Sequence, residues 1–258
     1  MTDNTLSVDD ASTRPRRTRR SAGDGDTSRK RGALYFLRDL LVIFVVALLV
    51  SFLVKTFLVR SFYIPSGSMQ NTLQIDDRII VNQLVPDVVP LARGDVIVFR
   101  DPGGWLTPTP EPERSPVVEA VDWTLGLVGL TSPDNDEHLI KRLIGLPGDH
   151  VVCCNTLGQM SVNGVPLDEP YVLLPDPSSP VSKDAFDITV PDDSLWVMGD
   201  NRWNSKDSRY NTTTPGGGYV PIDDVVGRAF VVSWPMAHWS WLDNYPTVFD
   251  AVPEPSDE

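Results

Sequence analysis

The chain has 258 residues, of which 41% are hydrophobic and 22% are charged, and its formal net charge is −13. These values are typical of one large or two small globular domains, and they exclude a wholly disordered chain, a collagen-like repeat and a multi-span membrane protein. The acidic balance also argues against nucleic acid as a partner, because phosphate backbones bind basic surfaces.

The charge is unevenly distributed along the chain. Residues 1–60 carry 11 Lys and Arg against 6 Asp and Glu, a net of +5, whereas residues 61–258 carry 11 against 29, a net of −18. Residues 40–54 hold no charge, and a helix over 40–59 would be about 30 Å long, the thickness of a bilayer's hydrocarbon core. We therefore predict a transmembrane anchor helix over 34–60. A buried core helix would show a polar stripe, and a cleaved signal peptide would be shorter and end at a small-x-small site.

Basic residues flank this span asymmetrically. Nine Lys and Arg precede it, and only Arg60 follows closely. The positive-inside rule therefore predicts a single-pass protein of the cell membrane with a cytoplasmic N-terminus and an extracytoplasmic body. The basic segment 1–33 is predicted to be a disordered cytoplasmic tail, which either contacts anionic lipid or only sets the topology. Residues 246–258 are predicted to be a mobile acidic tail.

The intervening region, 61–245, has the pattern of a β-rich body. Short β-branched runs alternate with Pro, Gly and Asp, which is typical of strands. Asn163-Gly164 is typical of a tight hairpin turn. We predict a mainly β fold, either barrel-like or built from packed sheets. The clearest predicted strands are Arg78–Val81, Asp95–Phe99, Leu139–Leu143, His150–Cys154, Leu195–Met198 and Val225–Trp234.

An insertion over 101–137 interrupts the strand pattern. Its proline-rich first part, 101–116, is predicted to be an extended surface loop. The apolar stretch 117–130 that follows is too short to span a bilayer. It either packs as a core element, the interpretation we favour, or lies in the lipid interface with Trp123 at headgroup level.

The cysteines and histidines do not indicate a metal or cofactor. Cys153 and Cys154 are adjacent, and we predict two unpaired thiols because neighbours in an extended strand point to opposite faces. His138, His150 and His238 lie far apart without metal-ligand spacing. We therefore expect neither a metal nor another cofactor.

Candidate chemistry begins just after the anchor, at Ser66-Gly67-Ser68. Such a tripeptide is commonly only a turn, and a catalytic serine also needs a base. A Ser-His-Asp scheme lacks a GxSxG motif and a histidine motif. A Ser-Lys scheme needs a lysine on an apolar strand, and of Lys141, Lys183 and Lys206, the three lysines after residue 60, only Lys141 lies in such a run.

Several blocks of the sequence after residue 34 occur in a characteristic order. They are the membrane span, then 64–69 with Thr72-Leu73, 93–99, 140–149, and 198–202 followed by 204–209. Together they resemble bacterial type I signal peptidases (leader peptidases), the Ser-Lys dyad serine proteases of family S26. Asn71 departs from the proline usual before the Thr-Leu pair of that family, and Trp203 replaces an acid often found after Asn-Arg.

The resemblance implies a role for each matching residue. Ser68 matches the nucleophile and Lys141 the general base. Ser66 matches the hydroxyl that joins the Ser68 backbone N–H in the oxyanion hole, and Ser205 matches the serine that orients the lysine amine. Four polar residues match those that support the site: Asp200, Arg202, Asp207 and Arg209.

The resemblance also implies an architecture and a substrate. The expected fold is the complex β fold of signal peptidases and LexA-like proteins, with a variable second β subdomain. The expected substrates are exported preproteins, cut after small-x-small signals by an enzyme that works as a monomer in the lipid bilayer. A substrate segment is expected to add as a strand, with Ile64, Met69 and Ile140 as candidate pocket walls.

Lys141 can act as a base only if its ammonium is destabilised. At the reference pKa of about 10.4 a lysine is neutral only about 0.04% of the time at pH 7, and lowering the pKa by roughly three units costs the ammonium about 4 kcal/mol. Burial among the apolar residues of 139–144 can supply this. Strand alternation directs Arg142 to the opposite face, where we expect it to pair with Asp200.

Two alternatives remain open from the sequence. One is a Ser-Lys autoprotease of the kind that cleaves repressors, although such proteins typically carry a DNA-binding domain and no membrane span. The other is a catalytically inactive, membrane-anchored β-domain that only binds partners.

Overall fold

The structure, a computed structural model, describes residues 25–106 and 137–255. The chain divides into two compact units between Val50 and Ser51. Most of the predicted basic tail, most of the insertion including 117–130, and the last three residues lie outside the described residues.

The first described element is helix α1 (Gly25–Phe57). Its segment Tyr35–Phe52 has a mean hydropathy of 2.2 and is long and apolar enough to cross a membrane. The predicted disorder up to residue 33 is wrong for 25–33, because this stretch lacks proline and continues as one helix into the apolar span. The helix also ends before the predicted residue 60, because Val59 and Arg60 pair with a neighbouring strand.

The second unit contains two antiparallel sheets, so the predicted mainly β fold is confirmed. The larger sheet has the order β1-β2-β11-β3-β4-β9-β10, with β12 paired to β11, and the smaller has the order β7-β6-β5-β8. All six strands predicted from the sequence are present. The strands are β1 (Val59–Tyr63), β2 (Arg78–Asn82), β3 (Val96–Arg100), β4 (His138–Gly145), β5 (His150–Cys153), β6 (Met160–Val162), β7 (Val165–Pro166), β8 (Phe186–Thr189), β9 (Ser194–Met198), β10 (Val220–Pro221), β11 (Val225–Trp234) and β12 (Ser240–Trp241).

The centre of the larger sheet is buried on both faces. Along β3, Val96 and Val98 belong to one apolar cluster, whereas Ile97 and Phe99 belong to another. This explains why the buried part of β3, Val96 to Phe99, is a continuous apolar run without polar alternation. It also means that consecutive β4 residues are buried in two different environments.

The smaller sheet includes the predicted hairpin. Asn163 and Gly164 both have positive φ, 50° and 80°, and connect β6 to β7 in an antiparallel pair. A turn with two positive φ values matches the twist of the flanking strands, and glycine adopts that conformation without steric cost.

The C-terminal segment is more ordered than the sequence indicated. A short helix, α2 (Pro246–Phe249), follows the last strand. Phe249 and Val252 are buried in a third apolar cluster, beside the smaller sheet. The prediction of a mobile tail is therefore wrong as far as Val252, because these apolar side chains pack into the core.

The cysteines are also paired differently from the prediction. The structure joins Cys153 and Cys154 by a disulfide. Strand β5 ends at Cys153, so the extended geometry assumed for the pair does not continue through Cys154. The prediction of two unpaired thiols is therefore wrong in this structure.

Candidate active site

Ser68 lies in a single 3-10 turn, Gly67–Met69, between β1 and β2. Met69 is fully buried in the core and holds the turn from one side. On the other side, the Asn201 backbone N–H donates to the Ser68 carbonyl oxygen at 3.1 Å, and the Asn201 amide donates to the Gly67 carbonyl oxygen at 3.1 Å. Ser68 itself is 7% exposed, so its hydroxyl is held in a fixed, nearly dry position.

Lys141 extends from the middle of β4 to this serine. Its Nζ lies 2.8 Å from Ser68 Oγ and also donates to the Ile140 carbonyl oxygen at 2.8 Å. The lysine is only 4% exposed. The structure therefore brings together the two residues that the sequence proposed as nucleophile and base, although 73 positions separate them.

Burial changes the acidity of this amine. Desolvation lowers the pKa of Lys141 from its usual 10.5 to about 8, against the opposing influence of the Asp207 and Asp200 carboxylates, which raise it. The pKa of Lys141 is thus lowered, as the sequence predicted, because a buried site disfavours the charged form of a lysine.

The two other predicted serines have different surroundings. Ser66 Oγ lies 3.3 Å from Ser68 Oγ, so its hydroxyl is at the site. Ser205 Oγ is buried without a hydrogen-bond partner in the described part of the chain. The expected hydrogen bond from Ser205 to the Lys141 amine is therefore not formed in this structure, in which the amine bonds to Ser68 and a carbonyl instead.

Gly199 allows these groups to approach one another. A Cβ atom at this position would overlap Ser205 Oγ and the backbone carbonyl oxygen of Ser68. Because one of these atoms belongs to the backbone, no side-chain movement alone could make room. The family resemblance pointed to the Asp and Arg residues of this segment, but only the close packing shows why a glycine precedes them.

Arg142 pairs with Asp200, as the sequence predicted. Its Nε and Nη2 donate to the two carboxylate oxygens at 2.8 and 2.7 Å, and both side chains are fully buried. The Thr72 hydroxyl also donates to Asp200. On the other side, the guanidinium lies 4.0 Å from the centre of the Tyr171 ring. This pair connects β4 to the loop after β9.

Asp207 organises a second buried ion pair. Its carboxylate accepts from Arg209 Nε and Nη2 at 2.8 and 2.7 Å and from the Gly199 N–H at 3.0 Å. Arg202 is buried too, but it pairs with Glu169, whose oxygens lie 2.9 and 2.6 Å away. Sequence reasoning did not find Glu169, since nothing in its local sequence distinguishes it from the other acids of this acidic domain.

The three histidines contact residues other than the proposed catalytic pair. His150 Nε2 lies 2.6 Å from Asp187, and His238 Nδ1 lies 2.7 Å from Asp77. The His138 ring packs against Phe62. Within the described ranges, no group of three His, Cys, Asp or Glu residues could hold a metal ion.

A cavity of ≈ 630 Å³ opens beside the dyad. Ile64, Met69 and Ile140, the predicted pocket walls, do not line it but belong to the core cluster behind Ser68. The cavity is therefore lined by residues other than those predicted. A role of Ile64, Met69 and Ile140 in substrate binding remains a prediction. The lining residues are Ser66, Gly67, Ser68, Trp105, Leu106, Leu139, Lys141, Lys183, Trp203, Asn204, Ser205, Lys206 and Tyr210.

Comparison with known proteins supports the resemblance found in the sequence. The family described as signal peptidase, peptidase S26, matches residues 37–234. A probable signal peptidase I of Mycobacterium leprae (strain TN) is 37% identical over 240 residues, 84% of this chain and 81% of that protein. Signal peptidase I of Mycobacterium tuberculosis (strain ATCC 25618 / H37Rv) is 37% identical over 222 residues, 79% of this chain and 74% of that protein.

A crystal structure of a signal peptidase I from Enterococcus faecalis V583 is 27% identical, covering 54% of this chain and 95% of that one with a TM-score of 0.32. That score is low, so the fold assignment rests on this chain's own strands and their pairing. Fold and sequence together define a mainly β peptidase. The chain belongs to the signal peptidase family, peptidase S26. These matches do not support the alternative of an inactive binding domain.

Proposed function

We propose that this chain is a membrane-anchored serine endopeptidase, a signal peptidase I, that removes signal peptides from exported preproteins. Ser68 is the nucleophile and Lys141 the general base. The observation that carries this proposal is the 2.8 Å contact between Lys141 Nζ and Ser68 Oγ in a buried site. One buried amine and one hydroxyl in contact suffice for acyl transfer through a covalent intermediate.

The mechanism follows from the two groups in contact. The neutral Lys141 amine removes the Ser68 hydroxyl proton as Oγ attacks the carbonyl carbon of the scissile peptide bond. The oxyanion of the tetrahedral intermediate accepts hydrogen bonds from the Ser66 hydroxyl and the Ser68 backbone N–H. The Lys141 ammonium then protonates the leaving amine, so the C–N bond breaks and an acyl-enzyme remains. Water, deprotonated by the same amine, hydrolyses that ester and regenerates Ser68.

The lowered pKa makes this base available near neutral pH. A lysine with a pKa of about 8 is neutral roughly a tenth of the time at pH 7, compared with about 0.04% at the reference value. The gain in the reactive form is therefore about two hundredfold. The contact with Ser68 adds orientation, because the proton has only a hydrogen-bond distance to travel.

Membrane attachment would bring the enzyme to its substrates. Helix α1 supplies a single span, and with the N-terminus in the cytoplasm the second unit lies outside, where signal peptides emerge. Near the end of β11, four large apolar side chains are 55–76% exposed: Trp234, Met236, Trp239 and Trp241. Exposed tryptophan is typical of surfaces that contact the lipid interface, so we assign this aromatic patch to the bilayer surface.

Cleavage of a preprotein by the full-length enzyme in detergent tests the proposal. The substrate carries alanine at the first and third positions before the cut, and Ser68→Ala and Lys141→Ala are compared with wild type. Both variants should retain the wild-type circular dichroism spectrum and lose turnover by about three or more orders of magnitude.

His150→Ala is the control, because His150 belongs to the smaller sheet, contacts Asp187 and is not among the described residues that line the cavity beside Ser68. It should cleave like wild type. Full activity in Ser68→Ala, or a loss in His150→Ala equal to that in Lys141→Ala, would refute the assignment.

A further inference from the structure

The lysines of the second unit converge on one cavity. Residues 61–258 contain only three lysines, Lys141, Lys183 and Lys206, within a segment of net charge −18. All three line the cavity beside Ser68, and no Asp or Glu is among the described residues that line it. The cavity is therefore a cationic recess in an otherwise acidic domain.

Lys183 and Lys206 are not needed for the dyad chemistry, yet both are oriented by specific contacts. Lys183 Nζ donates to the Trp203 carbonyl oxygen at 3.2 Å and lies 5.0 Å from the centre of the Trp203 ring. Lys206 Nζ donates to the Trp105 carbonyl oxygen at 3.0 Å. An ammonium has three N–H donors, so one carbonyl leaves donors available to a ligand.

Neither charge is paired with an acid of the described residues. Among residues 25–106 and 137–255, no ion pair involves Lys183 or Lys206. Two oriented cations without a partner carboxylate among these residues, one of them over the Trp203 ring, are complementary to an anionic group.

We propose that Lys183 and Lys206 form a subsite for an acidic side chain of the substrate, in the first two positions of the mature chain. The inference rests on the proposed function, because it places the acid relative to the bond that Ser68 attacks. The first and third positions before the cut are small residues, so we place the acidic side chain after the cut, at the start of the mature chain. The enzyme should therefore favour preproteins whose mature sequence begins with Asp or Glu.

The test compares two peptides that differ only in the first mature residue, Asp or its uncharged isostere Asn. Full-length enzyme in detergent at low salt should give a kcat/KM about fivefold higher for the Asp peptide, a size expected for partly exposed charge pairs. Lys183→Gln and Lys206→Gln should each reduce this ratio about twofold, and the double variant should bring it close to one. Lys→Arg at either position should restore it.

Arg78→Gln is the matched control, since it also removes one positive charge, from an exposed β2 residue outside the cavity lining. It should keep the wild-type ratio. Equal cleavage of both peptides by wild type, or an equal fall of the ratio in Arg78→Gln and Lys183→Gln, would overturn the subsite while leaving the proposed function intact. Cleavage of neither peptide would refute both.

Discussion

Lys141 and Arg142 are neighbours in β4 and both are buried, but their cationic groups have opposite surroundings. The Lys141 amine contacts a hydroxyl and a carbonyl oxygen, whereas the Arg142 guanidinium is paired with the Asp200 carboxylate through two hydrogen bonds. Strand alternation produces this separation, since consecutive side chains point to opposite faces of the sheet. One cation is thereby stabilised in its charged form, and the other is left able to lose its proton.

Removing one partner of the buried Arg142–Asp200 ion pair should destabilise the fold more than replacing both partners with apolar residues. Asp200→Asn leaves the arginine charge buried without a counterion, so we expect the free energy of unfolding to fall by about 3–5 kcal/mol. The double variant Arg142→Met, Asp200→Leu should lose less than Asp200→Asn alone. Urea unfolding monitored by tryptophan fluorescence measures both.

Asp187→Asn provides the comparison with an exposed pair, because both His150 and Asp187 are at least half exposed in that contact. It should cost less than about 1 kcal/mol. If the buried and exposed variants lost equal stability, or the double variant lost more than Asp200→Asn, this account of the pair would be wrong.

Gly199→Ala should impair catalysis more than folding. The added Cβ would displace Ser68 and Ser205, and a shift of about 1 Å in a catalytic group can lower turnover about a hundredfold. Gly216→Ala is the control, because its Cβ would only approach the Tyr219 carbonyl oxygen at 3.2 Å. Preprotein cleavage and thermal melting are measured for both. Wild-type turnover in Gly199→Ala would show that the close approach is not required.

Burial of the Lys141 amine should make the free energy of unfolding depend on pH. The pKa of Lys141 is about 8 when folded and 10.5 in its usual state, so between these values the unfolded chain binds more protons and the free energy of unfolding rises with pH. Relative to Lys141→Met, wild type should gain about 2 kcal/mol from pH 7 to 9.5. Urea unfolding at both pH values tests this. A pH-independent difference between the two proteins would contradict it.

The aromatic patch should approach lipid in a membrane. Full-length enzyme is reconstituted into vesicles containing brominated lipid, which quenches nearby tryptophan. Trp239→Phe with Trp241→Phe should remove a large share of the quenched signal, because both side chains are more than half exposed. Trp196→Phe, at a fully buried position, should lower total fluorescence but leave the quenched component unchanged. The reverse pattern would exclude this face from the bilayer.

Much of this arrangement could be predicted because its signals are local. The β-branched runs between breakers located all six strands, and the alternation within β4 predicted that Arg142 faces away from Lys141. Its partner Asp200, 58 residues away, was a hypothesis on a residue that the family resemblance had singled out. Two contacts could not be predicted, because their partners follow no local pattern. Arg202 pairs with Glu169, 33 residues away, and Asp200 accepts from Thr72, 128 residues away. Similarly, the acidic composition of the last segment concealed the buried Phe249.

The dependence of kcat/KM on pH tests the central claim most directly. For full-length enzyme cleaving a preprotein between pH 6 and 10, the account predicts a rate that rises with pH as one basic group near pH 8 loses its proton. A profile that is flat from pH 6 to 9, or whose rise is centred near the ordinary lysine value of about 10.4, would contradict the claim that a buried, neutral Lys141 activates Ser68.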